Sequence, residues 1–440
     1  MRTTPLGWAA ENGQEKVVEL LLTRHDIDPN KAAEDGQTPL FRAARGGYEG
    51  VVKILLGRED VDPDQSDNEG QTPLCCASEK GHEGVVKILL GRHNIDPNKP
   101  GLDGDTPLAI AACFGDQEVL KILLGRDGIN PDDTGEGGRT PLWWAASNDD
   151  EAIVKMLLAR DDVNPDKPND EGQTPLSCAA ENGAYGVVKL LLGRGDVNPD
   201  EPDNDGTTPL SYATLNGHEL VVEILLRTDN VNPNAPDMDG KAPINYAAEF
   251  GHVEVVRMLL ERGDINPDSP DNNGNTPLSY AALNGHERVV EMLLGQDNVN
   301  PDNANKKGQT PLLWAAEGGR EGVVKMLLGR KDVNPDTSDM NGQTPLHYAV
   351  LTWRVGLVRM LLERDDVNPN TSDMNGQTPL HYAVLTRRVE LVRMLLERDD
   401  LNPDRLDLYG QTPLSYAIRN GNTRLIALLQ PQTATADSTD

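Results

Sequence analysis

Cysteine, basic charge and long apolar runs are all scarce in this sequence. Four cysteines among 440 residues are too few for a disulfide framework, which indicates a reducing compartment, the cytoplasm or the nucleus. No stretch approaches the roughly 18 consecutive apolar residues of a membrane-spanning helix, and we expect no membrane association. The repeat pattern described below starts at Thr4, so we also expect no signal peptide.

Positive charge is in deficit throughout the chain. Lys and Arg number 41 against 71 Asp and Glu, which gives a formal net charge of −30. Such a field disfavours nucleic-acid phosphates and anionic membranes, and it favours a basic protein partner. The alternative interpretation is that the acidic residues only keep a long chain soluble.

Motifs for catalysis or metal binding are absent from the sequence. We find no nucleophile–base arrangement, phosphate-binding loop or paired-cysteine metal motif. Asp203-Asn204-Asp205-Gly206 has the start of a calcium loop, but Tyr212 stands where the bidentate glutamate would be needed. We therefore predict a protein that is not an enzyme and that has no cofactor or metal site.

A short motif, Thr-Pro-Leu, recurs every 34 residues. A period of 20 to 50 residues is the signature of a repeat architecture, in which each unit packs only against its neighbours. One copy is degenerate, with Ala242-Pro243-Ile244 in place of the motif. The 13 copies begin at Thr4, Thr38, Thr72, Thr106, Thr140, Thr174, Thr208, Ala242, Thr276, Thr310, Thr344, Thr378 and Thr412.

Each repeat reads as a turn followed by two helices. In the third copy, Thr72 is a suitable N-cap, Pro73 suits the first helical position, and Gly81 suits the helix end. The run Val-Val-Lys-Ile-Leu-Leu at 85–90 then predicts a second, amphipathic helix. We expect Arg92 to complement the negative end of that helix.

The pattern Thr-Pro-Leu-x-x-Ala, followed by Gly-His and Val-Val-x-x-Leu-Leu, resembles the ankyrin repeat. The resemblance implies an all-α ankyrin-repeat solenoid of 13 repeats of 34 residues. The usual ankyrin period is about 33, and here the extra residue falls in the Val-Asn-Pro-Asp connection. The histidine that the family places after Thr-Pro-Leu is present only at His347 and His381, so its inter-repeat hydrogen bond is expected to be mostly absent.

Domain organisation follows the repeat register. We predict one ankyrin-repeat array over residues 1–430, whose first copy lacks its turn, and a disordered polar tail over residues 431–440. Residues 338–371 and 372–405 differ at five positions, including Trp353 against Arg387, which indicates a copied module. An aromatic residue recurs two positions after the leucine, and we predict that it is core: Trp144, Tyr212, Tyr246, Tyr280, Trp314, Tyr348, Tyr382 and Tyr416.

The resemblance further implies a non-catalytic protein–protein interaction scaffold that binds its partner on the concave face formed by the fingers and inner helices. Variable apolar, aromatic and charged residues at these positions are candidate partner contacts. They are Leu102, Asp105, Phe114, Arg139, Trp143, Met238, Lys241, Phe250, Met340, Trp353, Met374 and Arg387.

Other functional readings stay open at this point. The regular repeats with Asn-Pro-Asp connections also look like the arrays of fungal NOD-like receptors, so the chain could be a ligand-sensing fragment of such a larger protein. A spacer without a specific ligand is a third possibility. We expect either a monomeric array or part of a larger chain, and the sequence does not identify the partner.

Overall fold

The computed structural model describes residues 3–430, and every regular element in this range is helical. The helices form thirteen consecutive pairs, one pair for each repeat, which confirms the predicted all-α ankyrin architecture. The predicted disordered tail at 431–440 lies outside the described residues. The chain divides into two compact units, residues up to 232 and residues from 233 onward.

The first unit contains seven helix pairs. Its first helices are α1 (Pro5–Glu11), α3 (Pro39–Arg45), α5 (Pro73–Glu79), α7 (Pro107–Cys113), α9 (Pro141–Ser147), α11 (Pro175–Asn182) and α13 (Pro209–Asn216). Its second helices are α2 (Glu15–Leu22), α4 (Glu49–Leu56), α6 (Glu83–Leu90), α8 (Gln117–Leu124), α10 (Glu151–Leu158), α12 (Tyr185–Leu192) and α14 (Glu219–Arg227). Two short 3₁₀ turns lie at Leu102–Gly104 and Glu136–Gly138.

The second unit contains six helix pairs. Its first helices are α15 (Pro243–Phe250), α17 (Pro277–Asn284), α19 (Pro311–Gly318), α21 (Pro345–Leu351), α23 (Pro379–Leu385) and α25 (Pro413–Arg419). Its second helices are α16 (Val253–Leu260), α18 (Glu287–Leu294), α20 (Glu321–Leu328), α22 (Val355–Leu362), α24 (Val389–Leu396) and α26 (Thr423–Leu429).

The first helices begin as the sequence predicts. In α5 the Thr72 hydroxyl accepts a hydrogen bond from the Cys75 backbone N–H at 3.1 Å, and Pro73 follows at the first helical position. The cap satisfies one of the amide donors that a helix start leaves unpaired, and proline there has no donor to lose. Ala242 cannot cap in this way, and the side chain of Asn245 instead accepts from the Ala242 backbone N–H at 3.0 Å.

The core of each unit runs between its helix pairs. In α6 the side chains of Val85, Val86 and Leu89 are buried while Lys87 is exposed, as the amphipathic pattern predicts. Burying a leucine of this kind contributes about 2 kcal/mol. Within each unit, first helices pack against the next first helix, as α3 does against α5, and second helices stack in the same way. Each repeat therefore owes its core to its neighbours.

Arginines at the ends of the second helices join one repeat to the one before it. Arg92 donates from Nη1 to the backbone oxygen of Leu56 at 3.0 Å, and Arg194 donates to that of Leu158 at 3.3 Å. The expectation that Arg92 serves the end of its own helix is therefore wrong. The side chain is long enough to reach the free carbonyl at the end of the preceding second helix, where a cation is favourable.

The Asn-Pro connections form another inter-repeat link. Asn98 accepts from the Asn130 backbone N–H at 3.0 Å and donates from Nδ2 to the backbone oxygen of Gly128 at 2.7 Å. Where the same position holds Asp166, Oδ2 accepts from the Asn198 backbone N–H at 2.8 Å, but the buried Oδ1 has no hydrogen-bond partner. The carboxylate thus makes half of the link that the amide makes.

Candidate protein-interaction surface

The finger, the segment that links a second helix to the next first helix, ends in a tight Asp-x-x-Gly turn in seven of the twelve cases, and Asn169 and Asn305 take the place of the aspartate in two more. In the third repeat, Oδ1 of Asp67 accepts from the backbone N–H groups of Glu69 and Gln71, both at 3.0 Å. Gly70 supplies the left-handed backbone that the turn requires, with φ 85°. The two residues between Asp and Gly therefore project at the fingertip.

Neighbouring fingers are joined through their backbones. In the second unit Lys306 donates to the Asn273 carbonyl, Met340 to that of Lys307 and Met374 to that of Asn341, each at 2.8 Å. Asn68 makes the same bond to the Asp35 carbonyl in the first unit, at 3.1 Å. The backbone of each row of fingertips is thereby fixed, so little backbone freedom remains to be lost when a partner binds.

Tyrosines on the first helices donate hydrogen bonds to the finger aspartates, and we call each such bond a Tyr–Asp brace. The Tyr382 hydroxyl donates to Oδ2 of Asp373 at 2.7 Å, and Tyr280 donates to Asp271 at 2.6 Å. The same bond links Tyr212 to Asp203, Tyr246 to Asp237, Tyr348 to Asp339 and Tyr416 to Asp407. The prediction that these aromatic residues are core is therefore only partly right, since most are half-buried and carry a polar link.

The braces affect the pKa of Tyr382 and, in another finger, the pKa of Asp271. Burial, followed by the hydrogen bond to Asp373, raises the pKa of Tyr382 to about 12. Burial alone would raise the pKa of Asp271, but hydrogen bonds from Tyr280 and from Asn275 outweigh it and lower that pKa. The carboxylate of Asp271 therefore stays ionised and accepting at neutral pH.

His347 and His381 supply the inter-repeat bond expected from the family pattern. Nδ1 of His347 lies 3.1 Å from the Thr344 backbone nitrogen, and Nε2 lies 3.1 Å from the backbone oxygen of Gln377 in the next finger. Burial lowers the pKa of His347, so the ring is neutral and its role is structural. Asn245 makes a comparable bond to the Ser269 oxygen at 3.1 Å, which the sequence did not reveal.

Eight of the twelve predicted contact residues are exposed. Met238, Met340 and Met374 project at fingertips, and the side chain of Met238 is 71% exposed. The remaining five are Leu102 at a fingertip and Phe114, Phe250, Trp353 and Arg387 near the ends of first helices.

Three predicted contact residues are only partly exposed. Lys241 forms a 2.7 Å ion pair with Glu249, and its ammonium lies 4.8 Å from the centre of the Tyr280 ring. The Arg139 guanidinium lies 5.0 Å from the Trp143 ring centre, and Asp105 is also half-buried. These side chains already make contacts within the array, so they are only partly available to a partner.

The prediction that Trp143 contacts a partner is wrong. Its side chain is 8% exposed, so it is part of the core and is not available as a contact residue. It packs edge-on against Trp144, with the ring centres 5.4 Å apart. The histidine position that it occupies faces the adjacent repeat, which a single sequence does not show for a tryptophan.

Several exposed apolar side chains were not among the predicted contacts. Leu408 and Tyr409 form the last fingertip, Leu406 lies beside them, and Ile418 and Leu220 are exposed on helices. The fingertip pair has a clear sequence signal, because it occupies the same two positions as Met340 and Met374 in their repeats.

Three of the four cysteines offer no reactive thiol at this surface. Cys75, Cys76 and Cys178 are buried, and burial raises the pKa of each to about 12. Within residues 3–430, no group of three or more His, Cys, Asp or Glu residues is placed to bind a metal. Across the same described range, none of the helices has the length and apolar character that crossing a membrane requires.

Comparison with known families agrees with this geometry. The family described as Ankyrin repeats (3 copies) matches residues 6–101, 96–169, 161–237, 229–305, 297–373 and 357–440. The chain is an ankyrin-repeat protein. A comparison with curated proteins found no match. Ankyrin repeats generally mediate protein–protein interaction, which places the functional question at the exposed positions of the fingers and helices.

Proposed function

We propose that this ankyrin-repeat protein is a non-catalytic interaction scaffold whose fingertips and first helices bind a protein partner. The observation that carries the proposal is the row of exposed apolar fingertips in the second unit, Met238, Met340, Met374 and Leu408. Exposed methionine and leucine side chains among polar neighbours are typical of contact surfaces.

The fingertips at 340, 374 and 408 belong to consecutive repeats. Met374 donates to the Asn341 carbonyl at 2.8 Å and Leu408 donates to the Asn375 carbonyl at 2.9 Å. The three side chains therefore stand on one continuous backbone ladder. A partner that contacts this row would bury apolar area without having to order the fingers.

The net charge of −30 supports a basic partner as part of this proposal. A field of this sign steers a positively charged protein toward the surface and raises the association rate. The rate would then fall between low and physiological salt, because exposed charges are screened over about 8 to 10 Å. A rate that does not depend on salt would leave the charge as an aid to solubility only.

The setting that we propose is an array over residues 1–430, working in the cytoplasm or the nucleus, as a monomer or within a longer chain. The alternative function, a ligand-sensing piece of a fungal NOD-like receptor-type protein, is favoured by the regular repeats with Asn-Pro-Asp connections. Sequencing the full-length transcript separates the two, since the alternative requires a nucleotide-binding module upstream.

Affinity capture with matched variants tests the proposal. The fingertip variant replaces Met238, Met340 and Met374 with glutamine. The control replaces three half-buried methionines of the second helices with glutamine, at Met326, Met360 and Met394. Each variant loses three thioether groups from the second unit.

Circular dichroism first checks that both variants are folded. We then expect the amount of captured partner to fall by roughly tenfold with the fingertip variant and to be unchanged with the control. Equal capture by the fingertip variant and the wild type would contradict the proposal. Loss with the control alone would move the site to the second helices.

A further inference from the structure

A cluster of exposed cationic and aromatic side chains lies where the first helices turn into the second helices in repeats ten to twelve. This arginine patch consists of Arg320, Trp353, Arg354, Arg387 and Arg388, all of them exposed. Trp353 and Arg387 were predicted individually as contacts, but the sequence did not assemble the other three around them.

Two members of the patch sit on an unfavourable backbone. Trp353 has φ 59° and Arg387 has φ 57°, in the left-handed region. The equivalent residue in the preceding repeat is Gly319, with φ 69°. A side chain there costs about 1 kcal/mol relative to glycine. Asp149 in the fifth repeat has the same conformation, with φ 55°, but only the eleventh and twelfth repeats place a large aromatic or cationic side chain there.

Three arginines of the patch contact the repeat that precedes them. The Arg388 guanidinium carbon lies 3.7 Å from the centre of the Trp353 ring. Arg354 lies over Gly319, where its Nε is 2.5 Å from the site that a Cβ would occupy. Arg320 donates from Nε to the Leu283 carbonyl at 2.8 Å. The guanidinium groups thus stand in a row, one repeat apart.

The positive charge of the patch is not neutralised internally. Within residues 3–430, none of the four arginines forms a salt bridge, unlike Arg330, Arg364 and Arg398, which each pair with the aspartate two residues later. The exposed end of each guanidinium therefore keeps N–H donors for a ligand.

Acidic residues near the patch are fewer but not absent. The first turn of α22 has none, whereas Glu321 follows Arg320 and Glu390 lies in the first turn of α24. Residues 341–430 contain ten arginines and ten acidic residues, so the excess acid of the chain lies elsewhere. The patch is a local exception in a strongly acidic protein.

We propose that the arginine patch binds an acidic peptide segment, rich in Glu or Asp with an aromatic or apolar residue, from a protein partner. Arginine pairs with carboxylates through two parallel N–H donors, and Trp353, which is 54% exposed, keeps apolar surface beside the Arg388 guanidinium for the apolar residue. A short segment meets only the patch, whereas a nucleic acid or an anionic bilayer also meets the repulsive field of the whole chain. This inference rests on the proposed scaffold function and adds a second contact of opposite charge preference.

The test uses a fluorescein-labelled peptide of Glu-Glu-Phe repeats and the full chain at pH 8. The patch variant combines Trp353→Gly, Arg354→His, Arg387→Gly and Arg388→His, which installs the residues that the third repeat holds as Gly81 and His82. It relieves the backbone strain and so should fold. The control removes three charges from second helices of the first unit, through Lys53→Gln, Lys87→Gln and Lys121→Gln.

We expect fluorescence anisotropy to show salt-sensitive binding that the patch variant weakens by roughly tenfold and that the control leaves unchanged. The same peptide with Gln in place of Glu should not bind. Absence of binding to the wild type, or binding that the patch variant retains, would overturn the inference. Binding of RNA or phosphatidylserine vesicles in place of the peptide would also overturn it.

The scaffold proposal can survive that failure. If the peptide does not bind but fingertip substitution still abolishes protein capture, the patch inference falls and the proposed function stands. If the peptide binds at the patch while capture is unaffected by the fingertip variant, the finger assignment falls instead.

Discussion

Replacing Asp166 with asparagine should stabilise the protein. Asp166 accepts from the Asn198 backbone N–H through one carboxylate oxygen, while its other oxygen is buried without a partner. Asn98, at the equivalent position two repeats earlier, fills that place with an amide that donates to the Gly128 carbonyl at 2.7 Å. The substitution should therefore add the missing hydrogen bond, to the carbonyl of residue 196, and remove a half-buried charge.

The size of the gain follows from these two changes. A net hydrogen bond contributes about 1 kcal/mol, and an unsatisfied buried polar atom costs about 1 to 3 kcal/mol. Because Asp166 is half-buried, we expect the lower end, about 1 kcal/mol, which corresponds to roughly fivefold slower hydrogen exchange in the fingers that it joins. Hydrogen exchange measured by mass spectrometry reports on those fingers directly.

The gain should depend on pH in a defined direction. Burial raises the pKa of Asp166, the Asn198 N–H opposes the rise, and the negative charges of Glu201 and Asp196 add to it. A raised pKa in the folded state means that the ionised carboxylate destabilises the fold above that pKa. The cost disappears as the pH falls through it toward the ordinary value of 3.8.

The advantage of asparagine should therefore be full at pH 7 and should shrink near pH 4. The reciprocal substitution, Asn98→Asp, should cost a similar amount at pH 7. An Asp166→Asn variant that exchanges no more slowly than the wild type at pH 7, or a gain that grows on acidification, would refute the reasoning.

Three further substitutions test individual side chains. Ala242→Thr should add the missing N-cap of α15 and stabilise it by about 1 kcal/mol, and hydrogen exchange at 240–250, expected to be faster than in the flanking repeats, should slow. Tyr382→Phe should remove the brace to Asp373 and cost about 1 kcal/mol in urea unfolding at pH 7; a neutral effect would show that the brace is not stabilising. Arg194→Met should cost about 1 kcal/mol by freeing the Leu158 carbonyl and removing the exposed ion pair with Asp196, and an unchanged urea midpoint would argue against the inter-repeat role of this arginine.

Most of the fold could be predicted from the sequence because local sequence signals specify the helices and turns of each repeat. Thr72, Pro73 and Gly81 mark helix ends through short-range chemistry, and the spacing of Val85 and Leu89 fixes the buried stripe. Thirteen copies in one register remove the ambiguity that a single copy would leave.

Links between repeats were harder to predict. The reach of Arg92 to the Leu56 carbonyl depends on a neighbour 36 residues away, and no local rule specifies it. The Tyr–Asp brace had a usable signal, since tyrosine follows the finger aspartate by nine residues, as Tyr382 follows Asp373. It was missed because an aromatic stripe on a helix also fits a core.

The candidate surface was only partly predictable. Fingertip exposure follows from the turn, so Met238, Met340 and Met374 were identified. Burial of Trp143 depends on the adjacent repeat, and clustering of Arg354 with Arg388 depends on stacking, neither of which a single sequence specifies.

The most direct test of the scaffold proposal is a hydrogen-exchange footprint of the protein bound to a captured partner. We predict slower exchange at fingers 338–342, 372–376 and 406–410, with the second helices unchanged. Protection confined to the second helices α20, α22 and α24, or no protection in the fingers, would contradict the proposal that the fingertips recognise the partner.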